Sequence, residues 1–412
     1  MPTYIDLFAG AGGLSEGFIR SEFLPIAHVE QDSNACLTLK TRIAYHHLKQ
    51  SGSLALYISY LKGEITRDAL YSNVPKSLLD SVVNKKISTS SLESIFASID
   101  KLRAKKSIDV IIGGPPCQAY SLPGIVADKK RMKWDSRKFL YKMYAEFLDR
   151  YRPKMFVFEN VPGLYKASNG KYYKHMVELF AETGYETKDK ILDAATFGVL
   201  QHRRRVILVG WRKELQLEYP EFTPVENGWT INDLFSDLPP LRAGETMNVA
   251  SYSAPPTLYL TQFEIRNGLD FTTQHIARPH NAEDLAIYAL AIRKWKEEAK
   301  ILKNNQIPKK MRTQNNITSF LDRFKVVRGD GVSHTMIAHI AKDGHHFIHP
   351  DESQLRSISV REAARIQSFP DDYYFEGARS AAFRQIGNAV PPLFANAIAK
   401  GLLAMLTNNA SL

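Results

Sequence analysis

Short apolar runs alternate with amphipathic stretches through the first two hundred residues. Tyr4-Ile5-Asp6-Leu7-Phe8 reads as a strand, Ala9-Gly10-Ala11-Gly12-Gly13 as a glycine-rich turn, and a helix begins at about Leu14. Pro25 to Glu30 reads as a second strand that again ends on an acid. Ile108 to Ile112, Met155 to Phe158 and Arg205 to Val209 read as further strands, with helical stretches such as Lys138 to Tyr151 between them. Strand, helix and strand at this spacing predict a parallel sheet with helices on both faces.

Two other textures interrupt or follow this rhythm. The polar stretch 51–106 contains helical patterns at Leu54 to Leu61 and Ser91 to Leu102 and reads as an insertion into the α/β domain. From about Leu215 the rhythm is lost, and Pro220, Pro224, Pro239, Pro240, Pro255 and Pro256 break the chain. Basic residues crowd Arg293 to Arg328, and apolar helical periodicity returns over Ser380 to Leu406. The expected organisation is therefore a domain at 1–215, a second irregular domain with a basic face at 216–380, and a C-terminal segment, 381–412, that returns to the first. A length of 412 residues agrees with two domains.

Composition narrows the setting. An apolar fraction of 44% and a charged fraction of 24% are those of a soluble globular protein. The apolar runs look too short for a membrane span, and the opening residues read as a strand where a leader peptide would be basic and then apolar. Two cysteines, Cys36 and Cys117, make no disulfide framework and suit a reducing cytosol. A net charge of +11 points toward a polyanionic partner.

The residues that can carry chemistry stand at strand ends, where ligands of open α/β sheets bind. Cys117 follows a strand in the run Gly113-Gly114-Pro115-Pro116-Cys117-Gln118, and the two prolines end that strand and direct the chain. It reads either as a placed nucleophile or as a small buried hydrophobe. Glu159 ends the strand Met155 to Phe158 and reads as an acid beside that thiol or as a helix cap. In Gln201-His202-Arg203-Arg204-Arg205 the alternation of an extended chain puts Arg203 and Arg205 on one face, suited to a phosphate or a carbonyl. The glycine turn permits close approach of a ligand. Ser15 stands where a dinucleotide fingerprint needs its third glycine, which disfavours NAD or FAD. Glu30 is placed to accept hydrogen bonds from a ribose. His334, His339, His345, His346 and His349 follow no zinc-ligand spacing, and no metal site is expected.

Taken in order, these runs resemble the cytosine carbon-5 DNA methyltransferases, which use S-adenosylmethionine. The matching segments are Asp6-Leu7-Phe8-Ala9-Gly10 with Gly12-Gly13, Gly114 to Ser121, Phe158-Glu159-Asn160-Val161, Gln201 to Arg205, Arg361 to Arg365 with Gln367 to Pro370, and Gln385 to Pro391. They span nearly the whole chain.

The resemblance implies a Rossmann-like methyltransferase domain and a smaller target-recognition domain. It implies Cys117 as nucleophile toward carbon-6 of a flipped cytosine, Glu159 at the ring nitrogen and amine, Arg205 on the base carbonyl, and Arg203 on the active-site loop and a phosphate. Asp6, Phe8, Gly10, Gly12, Gly13, Glu30, Pro116, Leu140 and Asn388 are implied cofactor contacts. Gln118, Ser121, Gln201, Lys129 and Arg131 are implied contacts to double-stranded DNA, and Ser121 to Arg137 reads as a lid. The family's acid near the adenine has no single counterpart: Gly63-Glu64-Ile65, Asp100 and the segment around Ile87 compete for it.

A monomer in the bacterial cytosol, with a companion restriction endonuclease and no membrane, completes the expectation. The rivals are a transfer-RNA cytosine methyltransferase, a catalytically inactive DNA-binding homologue and a nicotinamide oxidoreductase.

Overall fold

A computed structural model describes residues 1–116, 140–226, 228–313, 318 and 321–408. Cys117, Gln118, Ser121, Lys129 and Arg131, and with them the expected lid, lie outside the described residues.

The core is a seven-stranded sheet in the order β3-β2-β1-β4-β5-β7-β6. Its strands are β1 (Thr3–Leu7), β2 (Leu24–Glu30), β3 (Val82–Asn84), β4 (Val110–Gly113), β5 (Met155–Asn160), β6 (Tyr185–Asp193) and β7 (Arg204–Arg212). The first five in that order are mutually parallel. Strand alternation sends Ile5, Leu7, Ile111, Phe156 and Phe158 to one face and Tyr4, Val110, Ile112, Met155 and Val157 to the other. The first face packs on helices Leu92–Arg103, Leu140–Tyr151 and Lys171–Glu182. The second packs on α1 (Gly13–Arg20) and the C-terminal helix Pro392–Asn408.

Three expectations change. First, β7 is not parallel: it runs antiparallel to β5 and forms a hairpin with β6, which sequence reading missed. Tyr185–Asp193 reads as mixed polar because it is an edge strand with one exposed face. Second, the stretch 51–106 is not a single insertion. Val82–Asn84 is the edge strand β3, pairing with β2, and Leu92–Arg103 buries Leu92, Ile95, Phe96 and Ile99 in the main core. The short helices between Leu54 and Leu79 pack through Tyr57, Leu61, Leu70 and Val74 against Ala44, Tyr45 and Leu48 of helix Ser33–Gln50 and against Phe271. Third, the segment Arg379–Thr407 is long and apolar enough by composition to cross a membrane, but half of that window is buried. It is two helices, Arg379–Asn388 and Pro392–Asn408, and the second lies so close on α1 that a Cβ at Gly17 would come 2.4 Å from Ala395 Cβ.

The region after β7 has its own core around Leu234, Tyr259, Val327, Met336, Ile358 and Phe375, continuous with Ala11 and Leu200 of the sheet domain. It carries the two-stranded antiparallel sheet β8 (Thr246–Ser251) and β9 (Phe271–Ile276). The motif arginines Arg361 and Arg365, with Arg356 before them, hold the core together here. Arg365 is fully buried between Asp237 (2.5 Å) and Asp371 (2.6 Å), Arg356 binds Glu362 (2.7 Å), and Arg361 donates to Thr273 O (2.9 Å). Buried charges of this kind are tolerated only when paired and fully hydrogen-bonded. The expected basic face is partly neutralised: Lys294, Lys296, Lys300, Lys325 and Arg328 each pair with an acid.

Candidate active site

The carboxyl ends of β1, β2, β3, β4 and β5 open into one cavity of about 1090 Å³. Backbone geometry shapes its floor. Phe8, directly after β1, adopts φ +58°, a left-handed conformation uncommon for a bulky residue and typical of strained ligand sites. Gly12 caps α1 at φ +81°, and a Cβ there would meet Leu39 Cδ2 at 2.7 Å and Tyr373 Oη at 2.9 Å, so only glycine fits. Ser15, which replaces the third fingerprint glycine, is buried with its hydroxyl 2.8 Å from His28 Nε2, and therefore serves the packing of α1 on β2.

Asp6 and Glu30 place two carboxyl groups on one side of the cavity. Asp6 is buried, and its Oδ2 has no hydrogen-bond partner among the described residues. Burial first, and Glu30 second, push its carboxyl well above the usual carboxylate range. Glu30 accepts from Gly10 N (2.8 Å), Gln31 N (2.8 Å) and Asp32 N (2.8 Å), which locks its rotamer at the end of β2.

The other end of the cavity is built by β4, β5 and β7. Gly114 passes so close to β5 that a Cβ on it would lie 2.6 Å from Glu159 Oε2. Asn160 Nδ2 donates to Pro115 O (3.3 Å), tying the two strand ends together. Glu159 Oε1 accepts from Arg205 Nε at 2.8 Å, both side chains being 12% exposed. This pair depends on the antiparallel direction of β7: Asn160 faces Val206 in the register, so the start of β7 lies beside the end of β5.

The sequence-derived residues separate on inspection. Asp6, Phe8, Gly10, Gly13, Glu30, Pro116, Leu140, Glu159, Arg203, Arg205 and Asn388 all line this cavity. Gly12 lies beneath its floor as the α1 cap. Arg203 is buried and donates to Met336 O (2.6 Å) and Gly387 O (3.3 Å), so it fastens three distant segments at the cavity wall. Gln201, expected at DNA, has no exposed surface. It is fully buried, donating to Gln367 Oε1 (2.8 Å) and accepting from Met336 N (2.6 Å). Of two further cavity-lining segments, Lys85 to Thr89 after β3 includes Ile87, whose surroundings were one of three competing candidates for the adenine contact, whereas Thr335 to His339 from the second region was not foreseen. The second has no local pattern.

An open, mostly parallel sheet with this strand order and a glycine turn, an acid and a cavity at the strand ends defines a Rossmann-like methyltransferase. The chain belongs to the C-5 cytosine-specific DNA methylases, the family that residues 80–404 match. It is therefore an enzyme that methylates cytosine carbon-5, with DNA as substrate. It is 42% identical to the type II methyltransferase M.Bpa9945I of Bacillus paralicheniformis, over 97% of this chain and 98% of that one. It is 30% identical to the type II methyltransferase M1.HphI of Haemophilus parahaemolyticus, over 98% and 88%. In fold it matches a prophage-encoded Escherichia coli protein assigned as a DNA modification methyltransferase, with a TM-score of 0.67 at 23% identity over 99% and 100% of the two chains.

Proposed function

We propose that the protein is the modification enzyme of a type II restriction-modification system. It transfers a methyl group from S-adenosylmethionine to carbon-5 of a cytosine flipped from a specific duplex sequence. The observation that carries this reading is the Glu159–Arg205 pair set against Gly114-Pro115-Pro116, the three residues that lead into Cys117. The family match and the type II relatives support it.

The chain's residues divide the chemistry. The Cys117 thiolate adds to carbon-6, forming an S–C bond while the carbon-5/carbon-6 pair shifts to carbon-5. Glu159 holds a proton at the ring nitrogen and accepts from the exocyclic amine, which stabilises the electron-rich ring. Arg205 orients Glu159 and reaches the base carbonyl. After transfer, a water molecule takes the carbon-5 proton, and the freed electron pair restores the double bond and expels the thiolate. Arg203 keeps the cavity wall in register with its bonds to Met336 O and Gly387 O.

The cavity fits S-adenosylmethionine, which when bound supplies an electrophilic methyl sulfonium. Asp6 Oδ2, buried and without a partner among the described residues, suits an ammonium. A Cβ at Gly10 would meet nothing within 4 Å, leaving open space above the turn. Glu30 suits a ribose hydroxyl, and Phe8, Pro116, Leu140 and Asn388 complete the walls. The second region, with Gln118, Ser121, Lys129 and Arg131 of the segment after Pro116, contacts the duplex. The domain division is 1–215, 216–380 and 381–412, with β3 and Leu92–Arg103 counted in the first. The same reading assigns a cytosolic monomer and a companion endonuclease, as the type II relatives suggest.

Incubation with labelled S-adenosylmethionine and duplex DNA of diverse sequence tests the proposal. Label at cytosine carbon-5 of DNA, and none in transfer RNA, is expected. Uptake into RNA alone or absence of label rejects it. Bisulfite sequencing of DNA from a host without other methylation then identifies the target.

A further inference from the structure

The glycine turn has left-handed backbone at Phe8, Gly10 and Gly12. Its own sequence does not hold it there, since glycine leaves a chain many conformations. It is packed from beneath by a segment far along the chain. A Cβ at Gly13 would come 2.1 Å from Val390 O and 3.1 Å from Phe369 Cζ, and one at Gly12 2.9 Å from Tyr373 Oη. The buried Tyr373 hydroxyl donates to Ala11 O, across 362 residues of sequence. On the other side of the same peptide, Gly12 N donates to Ala9 O at 2.9 Å. The Ala11–Gly12 peptide plane is therefore gripped at both its oxygen and its nitrogen.

Tyr373 is itself fixed by the segment that carries it. Asp371, two residues before, accepts from Arg365 (2.6 Å) and Tyr252 (2.6 Å) of the second region. Asp372 Oδ1 accepts from Arg42 Nη1 (2.8 Å) of α2 (Ser33–Gln50), and Asp372 O accepts from Tyr57 Oη (2.6 Å) of the short helices. Arg42 also donates to Glu16 of α1 (2.6 Å), and its guanidinium lies 4.8 Å from the centre of the Tyr373 ring. Tyr373 O accepts from Arg361 Nη2 (3.0 Å), whose Nε reaches Thr273 O of β9. Backbone and ring are thus anchored to the second region and to α2, and the hydroxyl is left to set the turn.

We infer that Tyr373 is a positioning residue for cofactor binding, whose hydroxyl holds the Ala11–Gly12 peptide and so keeps the glycine turn in its binding form before the ligand arrives. The inference rests on the proposed use of S-adenosylmethionine. Tyr373→Phe keeps the packed ring and frees the peptide to rotate. The apparent dissociation constant then rises as the binding-competent fraction of the turn falls. Chemistry at saturating cofactor is untouched, because Glu159 and Arg205 stand at the other end of the cavity.

Calorimetric titration of the full-length protein with S-adenosylhomocysteine, and label transfer at varied S-adenosylmethionine, test this. Tyr373→Phe is expected to raise the dissociation constant and the cofactor KM by about tenfold. The kcat and the dissociation constant for duplex DNA are expected to stay within about twofold of wild type. Tyr57→Phe is the control: it removes a buried hydroxyl bond from the neighbouring Asp372 O without touching the turn. Both variants should lose stability alike, but Tyr57→Phe should bind S-adenosylhomocysteine as wild type does. A rise below about threefold in Tyr373→Phe, or an equal rise in Tyr57→Phe, overturns the inference. Hydrogen exchange of the unliganded wild-type protein needs no variant: slow exchange over residues 8–14 is expected, and exchange there as fast as in an unstructured peptide overturns the inference. Failure of wild-type protein to bind S-adenosylhomocysteine overturns the cofactor reading itself, and this inference with it.

Discussion

Glu159 Oε1 and Arg205 Nε stand 2.8 Å apart at the meeting of β5 and β7, strands that sequence reading placed in the same direction and that run oppositely. The pair joins a carboxylate and a guanidinium from positions 46 residues apart in the chain. Glu159→Gln keeps the shape and removes the proton-holding function. Methylation by this variant is expected to fall by about 10²–10⁴-fold, the range for lost acid–base assistance. Single-turnover label transfer at saturating DNA checks it; full activity would remove Glu159 from the mechanism.

Gly114 makes a sharper steric test. A Cβ there would lie 2.6 Å from Glu159 Oε2 and 3.4 Å from Glu159 O, so Gly114→Ala must displace the Glu159 side chain. A loss of about 10²-fold in turnover is expected from a displacement near 1 Å. Circular dichroism and the melting temperature should change little, because the clash is relieved into the cavity. A variant with unchanged turnover contradicts the placement of Glu159.

Gln201 was expected on DNA and is found in the core, bridging Gln367 and Met336. Gln201→Ala strands the Met336 N–H in a buried site, costing about 1–3 kcal/mol of stability. Denaturant unfolding measures this loss. The slope of log Kd for DNA against log salt is expected to stay as in wild type, since no phosphate contact is removed. A reduced slope with unchanged stability would restore the DNA role.

Acid should weaken the fold early. Burial holds His28, His280, His334, His346 and His349 down at about 4, against 6.5 for a free histidine. Between these values the unfolded chain binds more protons than the native one, so native stability falls as pH drops from about 6.5 toward 4. Glu16 and Glu362, held below the usual carboxylate range chiefly by Arg42 and Arg356 against their burial, withdraw their contribution only at lower pH. Melting temperatures measured at constant ionic strength should decline already between pH 6.5 and 5. A flat profile there would mean that these histidines are solvated.

Local pattern was sufficient for much of the molecule. Short apolar runs marked β1, β2, β4, β5 and β7, and Gly12 and Pro115-Pro116 marked the turns, because these signals depend only on neighbouring residues. The order of motifs from Asp6 to Asn388 sufficed to identify the reaction. Strand direction was not readable, because a short apolar run is the same read either way; only pairing across the sheet turned β7 around and brought Arg205 to Glu159. Nor was the fate of Gln201 readable: its polar side chain is buried because two distant segments, around Met336 and Gln367, satisfy it there. Strand β3 was equally hidden. Val82–Asn84 is too short to stand out, and it becomes a strand by pairing with β2, which carries Lys86 and Ile87 to the cavity. The sequence by itself determined the elements and the chemistry they can carry, and the tertiary structure decided which of those residues meet, since contacts between distant segments are set by packing and pairing that no local pattern encodes.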